Sequence, residues 1–132
     1  MKLKTILVVL ALILFSCKNE TCEGIVFQNG ITYKNNIPYT GTCETFHTNG
    51  QLKSLKTYLN GFDHDRWVFY YPNGEMQVTG LFNLGKRDGE WTYFYDNGNV
   101  WKKHYYANGN KTGVWKTFDE QENLIEETQI KE

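Results

Sequence analysis

On either side of Asn73-Gly74 the chain alternates in character, and the alternation has a period of two. Reading outward, Tyr71 and Met76, Phe69 and Val78, and Trp67 and Gly80 fall on one side, which is almost wholly apolar. Val68, Tyr70, Glu75, Gln77, Thr79 and Leu81 fall on the other, which is mixed. A period of two is that of a β-strand, whose successive side chains point to opposite faces. An Asn-Gly pair between two such runs predicts a hairpin closed by a two-residue type I′ turn, because both residues tolerate positive φ. The pattern therefore predicts one strand from Arg66 to Pro72 and a return strand from Glu75 to Leu81, with Tyr71 opposite Met76, Phe69 opposite Val78 and Trp67 opposite Gly80. A glycine opposite an indole is expected to leave room for that ring to lie flat. The equivalent pairs elsewhere are Trp91 with His104 and Trp115 with Thr128.

The same hairpin recurs. Asn49-Gly50, Asn73-Gly74 and Asn97-Gly98 are spaced by 24 residues, and other columns keep that offset. Phe46, Tyr70, Phe94 and Phe118 form one, Cys43, Trp67, Trp91 and Trp115 a second, and Tyr58, Phe82, Tyr106 and Ile130 a third. Leu52, Met76, Val100 and Leu124 form a fourth. Gly61, Gly85 and Gly109 mark one end of each connection, and Gly41, Gly89 and Gly113 the other, with Asp65 in the remaining place. Self-similarity at a fixed short period is the signature of a repeat architecture. The fold class is all-β: tandem 24-residue hairpins in one elongated, twisted antiparallel meander sheet, with equivalent rings stacked into ladders. The expected units are about 24–41, 42–65, 66–89, 90–113 and 114–132. The first is a degenerate hairpin around Asn29-Gly30, off the regular spacing. The last reads Asp119-Glu120-Gln121-Glu122-Asn123 at its turn and carries Glu126 and Glu127 on its return strand, so it reads as a cap that discourages further strand pairing. Connections such as Asn83-Leu84-Gly85-Lys86-Arg87-Asp88-Gly89 read as polar, glycine-rich turns into the next hairpin.

The amino terminus is of another kind. Lys2 and Lys4 precede an uninterrupted apolar run from Ile6 to Phe15, followed by Ser16 and Cys17. Ten apolar residues fall short of the roughly 20 that span a bilayer, so residues 1–16 read as a signal peptide. Leu14-Phe15-Ser16-Cys17 resembles a bacterial lipoprotein signal, which implies cleavage before Cys17, lipidation of that thiol and a tether over residues 17–23. The bulk of Phe15 departs from the usual pattern. The expected address is a membrane of the cell envelope, with the outer membrane, periplasmic or surface-facing, as the first expectation.

Composition and charge then exclude some functions. Aromatics make up 16% of the 132 residues and there are only two prolines, which suits a folded chain. Loss of residues 1–16 removes two of the 14 basic residues and none of the 15 acidic ones, so the mature chain is acidic and nucleic acid is a poor partner. Cys22 and Cys43 form an even pair in an oxidising compartment. They are either bonded to each other or two free thiols, with Cys43 packed as a small apolar group.

No arrangement of residues reads as a catalytic centre. Asp63-His64-Asp65 is the most tempting cluster, but it falls where later units carry Lys86-Arg87-Asp88 and Asn110-Lys111-Thr112, so it reads as a solvated turn rather than a metal site. His47 and His104 belong to different columns. The expectation is a non-enzymatic protein with no catalytic residues, no metal and no cofactor. The candidate binding face carries Tyr70, Phe94, Trp101 and Tyr105, against the alternative that these rings pack on each other and on lysine stems. Structural ring positions are Trp67, Trp91, Trp115, Phe82 and Tyr106.

The stretch Gly80-Leu81-Phe82-Asn83-Leu84-Gly85-Lys86-Arg87-Asp88-Gly89-Glu90-Trp91 resembles the MORN repeat, and Tyr70-Tyr71-Pro72-Asn73-Gly74 is similar to its bacterial variant. Asn29-Gly30-Ile31-Thr32-Tyr33 with Pro38-Tyr39-Thr40-Gly41 resembles the opening of YwqK-type antitoxins. The resemblance spans about residues 24–130. It implies the repeat fold and a scaffold or adaptor that binds a protein. A glycan-binding module of the envelope and an antitoxin or immunity protein neutralising a toxin are the alternatives.

Overall fold

The computed structural model describes residues 19–131. The expected signal peptide, Cys17 and Lys18 lie outside the described residues. Among the described residues thirteen strands follow one another: β1 (Glu20–Thr21), β2 (Ile25–Gln28), β3 (Ile31–Lys34), β4 (Ile37–Pro38), β5 (Gly41–Phe46), β6 (Leu52–Leu59), β7 (Phe62–Asp63), β8 (Asp65–Tyr70), β9 (Met76–Asn83), β10 (Lys86–Phe94), β11 (Val100–Ala107), β12 (Asn110–Phe118) and β13 (Leu124–Gln129). From β5 onward each long strand pairs antiparallel with its neighbour in sequence, giving the expected meander. Trp67 is registered with Gly80, Phe69 with Val78, Trp91 with His104 and Trp115 with Thr128.

One sheet becomes two. β1 joins the edge of β5 in parallel, so the main ten-stranded sheet is mixed, while β2, β3 and β4 form a separate three-stranded sheet. The degenerate first unit therefore does not extend the array. It is fastened to it where Thr32 N–H donates to Gly61 O at 2.8 Å and Gly61 N–H to Tyr39 O at 2.7 Å.

The two kinds of turn are exchanged relative to expectation. At Asn49, Asn73 and Asn97 only the following glycine has positive φ (Gly50 84°, Gly74 92°, Gly98 89°). In the second of these, Gly74 N–H donates to Tyr71 O at 2.9 Å and Tyr71 N–H to Glu75 O at 2.8 Å. That is a three-residue loop, a type I turn closed by a left-handed glycine. The extra residue shifts the register, so Tyr70 and not Tyr71 faces Met76. Asparagine is here for its amide: Asn73 Oδ1 accepts from Glu75 N–H at 3.0 Å, and Asn73 Nδ2 donates to Asp96 O in the next unit at 2.7 Å. Asn49 does the same, with Gln51 and with Pro72 O.

The true two-residue turns lie at the opposite rim, at Asn60-Gly61 (51°, 82°), Leu84-Gly85 (45°, 83°) and Asn108-Gly109 (53°, 90°). The expected long connections are consequently strand: Lys86 pairs with Asn83, Arg87 with Phe82 and Asp88 with Leu81. Each of these turns is stapled to the preceding unit, Gly85 N–H donating to Asp63 O at 2.7 Å and Gly109 N–H to Arg87 O at 2.8 Å. Beyond each turn a bulge re-aims the strand, with Asp65 at φ 55° holding the conformation that Gly89 and Gly113 hold at 67°. In the last unit Glu122 (φ 64°) takes the turn glycine's place, stabilised by Asp119 N–H donating to Asn123 O at 2.9 Å.

A single-layer sheet buries little, and the core is correspondingly thin: Tyr39, Cys43, Tyr58, Val68 and Trp91 are its buried apolar residues. Cys22 and Cys43 are joined in a disulfide with Cα atoms 5.0 Å apart, and Cys43 is wholly buried. The bond encloses a loop spanning 21 positions, so replacing both cysteines by alanine is expected to cost about 2–4 kcal/mol. The check is a lower urea midpoint for the variant, matched by the reduced wild type.

Candidate functional site

The two faces of the sheet differ in how their side chains are used. On one, rings run in an unbroken series, edge to face from Tyr39 to Tyr58 (centroids 5.6 Å apart), Trp67 (5.5 Å), Phe82 (4.8 Å), Trp91 (5.0 Å) and Tyr106 (6.4 Å), and then tilted onto Trp115 (5.6 Å). Each indole N–H donates to a carbonyl ten residues earlier: Trp67 to Thr57 O at 2.8 Å, Trp91 to Leu81 O at 3.1 Å and Trp115 to Tyr105 O at 3.2 Å. The indole thus lies across the preceding strand, and this corrects the expected role of Gly80. A Cβ built there would sit 2.2 Å from Cδ2 of Trp91, so the glycine makes room for the next unit's ring and not for Trp67 opposite it.

The outer surfaces of these rings are covered by cations. Lys56 lies 5.1 Å from the Trp67 ring, Arg87 4.3 Å from Trp91 and Lys111 4.8 Å from Trp115, each an attraction between positive charge and the ring face. Arg87 also donates to the hydroxyls of Tyr106 (3.1 Å) and Tyr93 (3.3 Å). His104 stacks on Trp115 at 3.8 Å, and burial, helped by Lys102, Arg87 and Lys111, pulls its pKa below the ordinary value. Each of these three tryptophan rings thus carries a cation within about 5 Å of its centre.

The opposite face is a surface of another sort. Arg66 pairs with Leu81, Glu90 with Tyr105 and Thr92 with Lys103, which places these side chains on one side of the sheet. Glu90 is its polar centre: it accepts from the Tyr105 hydroxyl at 2.7 Å and the Thr92 hydroxyl at 2.8 Å, and lies 3.5 Å from the Lys103 ammonium. Tyr105's hydrogen bond holds the Glu90 carboxyl below its ordinary value of 4.5. A depression of about 330 Å³ opens beside it, lined by Arg66, Thr79, Gly80, Leu81, Glu90 and Thr92. Arg66 Nε donates to Thr79 Oγ1 at 3.2 Å. Since Glu90 is stabilised in its charged form, stability from this group is present above pH 4.5 and is lost as pH falls through the lower folded value. Glu90→Gln is expected to flatten the stability profile in that acid window, as read by urea titrations at several pH values.

Of the four candidate binding rings, Tyr105 faces Glu90 across the β10–β11 pair and so lies on this face with Lys103, while Trp101 is the residue at which that pair slips register, Tyr93 pairing with Lys102 and Phe94 with Val100. Trp101 is 38% exposed, with the Lys102 ammonium 4.1 Å from its ring and Tyr95 at 5.9 Å. Tyr70 and Phe94 sit at the bulged ends of their strands, opposite Met76 and Val100. No ring contact joins any two of the four among the described residues. Their backbone carbonyls serve the repeat instead, with Tyr70 O bonded to His47 Nε2 and Phe94 O to the Tyr71 hydroxyl, both at 2.8 Å.

The Asp63-His64-Asp65 cluster is absorbed by the turns. His64 Nδ1 accepts from Leu84 N–H at 3.4 Å, at the place where Thr40 Oγ1 and Asp88 Oδ1 accept from Asn60 and Asn108 N–H. Among the described residues no group of His, Cys, Asp and Glu is arranged to hold a metal. The sequence reading missed Arg66, Glu90 and the ring-covering cations. For Arg87 and Lys111 the signal lies in the column Asp63, Arg87 and Lys111, which keeps the 24-residue offset within the segments expected to be turns.

The hairpins β5–β6, β8–β9 and β10–β11 coincide with three copies of a known repeat: residues 39–60, 66–83 and 87–108 match the MORN repeat variant. The chain belongs to the MORN-variant repeat family. No curated protein and no solved structure matches it significantly. The MORN repeats make the sheet a repeat-based protein-binding module.

Proposed function

We propose that this MORN-repeat chain is a non-enzymatic lipoprotein of the cell envelope, anchored through Cys17, whose sheet holds another protein on its Glu90 face. The observation that carries the binding surface is the grouping of Arg66, Leu81, Glu90, Lys103 and Tyr105 on one side of the central strands, with the exposed Trp101 at the bulged end of β11 beside them in sequence. Arginine, tryptophan and tyrosine around a partly desolvated polar centre are the side chains that dominate protein interfaces. On the opposite face Arg87 and the tryptophan and tyrosine rings are engaged with one another. The anchor is supported by the sequence Leu14-Phe15-Ser16-Cys17 after an apolar run too short to span a membrane.

Tagged protein recovered from intact envelopes is expected to retain one stoichiometric protein. Trp101→Ala and Glu90→Lys should each weaken that retention at least tenfold, about 1.4 kcal/mol or more, while Lys111→Ala on the covered face leaves it unchanged. Retention that is indifferent to Trp101 and Glu90 but lost on Lys111→Ala would place the contact on the other face. Retention by purified cell-wall polysaccharide in place of protein would contradict the proposal.

A further inference from the structure

We infer that the small sheet formed by β2, β3 and β4 is a wedge that rests in the headgroup layer of the membrane to which Cys17 is attached. This rests on the lipid-anchor reading above, and the sheet lies ahead of the residues that match the MORN variant.

Residues 19–22 of the tether are fastened to the edge of the main sheet. Cys22 is bonded to the buried Cys43, Cys22 N–H donates to Glu44 O at 2.9 Å, and Asn19 Nδ2 donates to Glu44 Oε1 at 2.9 Å. Glu20 pairs with Cys43 in the parallel edge and is held by the Lys34 ammonium of β3. Two residues separate Glu20 from Cys17, so the three extended peptide steps between them reach only about 10 Å. Acyl chains on Cys17 would therefore bring the bilayer surface to within about that distance of β1 and of Lys34.

The groups at this end are apolar to an unusual degree. Phe27 is 73% exposed, Ile37 68% and Val26 57%. Ile37 is the cross-strand partner of Lys34, the residue that holds Glu20. Phe27 and Ile37 fall on one face of the small sheet and Val26 with Tyr33 on the other, by register and alternation. Ile25 and Thr32 on the Phe27 face are covered by the domain itself, and Lys34 on that face holds Glu20, so Phe27 and Ile37 project from the side of the small sheet where the tether is fastened. The half-exposed Phe46 borders a hollow with Thr21 and Cys22. The polar turns Asn29-Gly30 and Asn35-Asn36, and the open backbone edge of β2, require water or headgroups and so limit the depth to the interface.

The test uses full-length lipidated protein in vesicles of phosphatidylethanolamine and phosphatidylglycerol. A photoreactive benzoylphenylalanine is placed in turn at Phe27, Ile37, Leu84 and Ile125, and intact mass is read at the amino terminus. All four positions are well exposed. Lipid adducts at Phe27 and Ile37 are expected to exceed those at Leu84 and Ile125 several-fold. An acylated amino terminus with equal or absent lipid adducts at all four positions would overturn the wedge and leave the anchor standing. An unacylated amino terminus would overturn the anchor and the wedge together.

Discussion

Trp91→Ala is expected to lower stability by about 3–5 kcal/mol, the range for truncating a large buried ring. The indole is only 3% exposed. It lies over Gly80, donates to Leu81 O, meets Phe82 and Tyr106 edge to face, and is covered by Arg87. No second layer stands ready to collapse into the space. In a repeat array each unit is held by its neighbours, so the loss falls on the junction between units 66–89 and 90–113. Urea unfolding of the variant should split into two transitions where the wild type shows one. Trp67 and Trp115 occupy equivalent places but are only half-buried, and their alanine variants should cost less.

Gly80→Ala is expected to be destabilising by about 1–3 kcal/mol, as for overpacking in a filled site. General propensity argues the other way, since glycine inside a strand or helix is about 0.5–1 kcal/mol worse than alanine. Geometry decides the sign: the added Cβ would lie 2.2 Å from Cδ2, 2.4 Å from Cε2 and 2.7 Å from Cγ of Trp91, and an indole pinned by its own hydrogen bond cannot yield. In a Trp91→Ala background the obstruction is gone, so Gly80→Ala should become neutral or stabilising. That reversal, measured as a double-mutant cycle by urea midpoints, separates close packing from any intrinsic effect of the glycine.

The repeat was legible because one offset governs many columns at once, and the pairing of Trp67 with Gly80 followed from counting outward from Asn73-Gly74. What counting could not give was the turn type. Asn-Gly fits the two-residue turn so well that the three-residue alternative, in which asparagine spends its amide on Glu75 and on the next unit, leaves no different mark in a single unit. Leu84-Gly85 hid the true tight turn for the opposite reason, since leucine rarely adopts φ 45°. The separate small sheet was obscured in the same way: residues 24–41 share the vocabulary of the repeat without its spacing. At the candidate surface, Trp101 and Tyr105 stood out as rings, whereas Arg66 and Glu90 could be recognised only once the register set them beside Leu81 and Tyr105.

The central claim is that successive 24-residue units pair side by side, so that each indole crosses its neighbour's strand at an equivalent place. Interstrand backbone nuclear Overhauser contacts measured in solution test it most directly. Trp67 with Gly80, Trp91 with His104 and Trp115 with Thr128 should each show them, and the Trp91 indole protons should in addition contact the α-protons of Gly80. Absence of these contacts, or indoles whose neighbours do not repeat at the same offset, would contradict it.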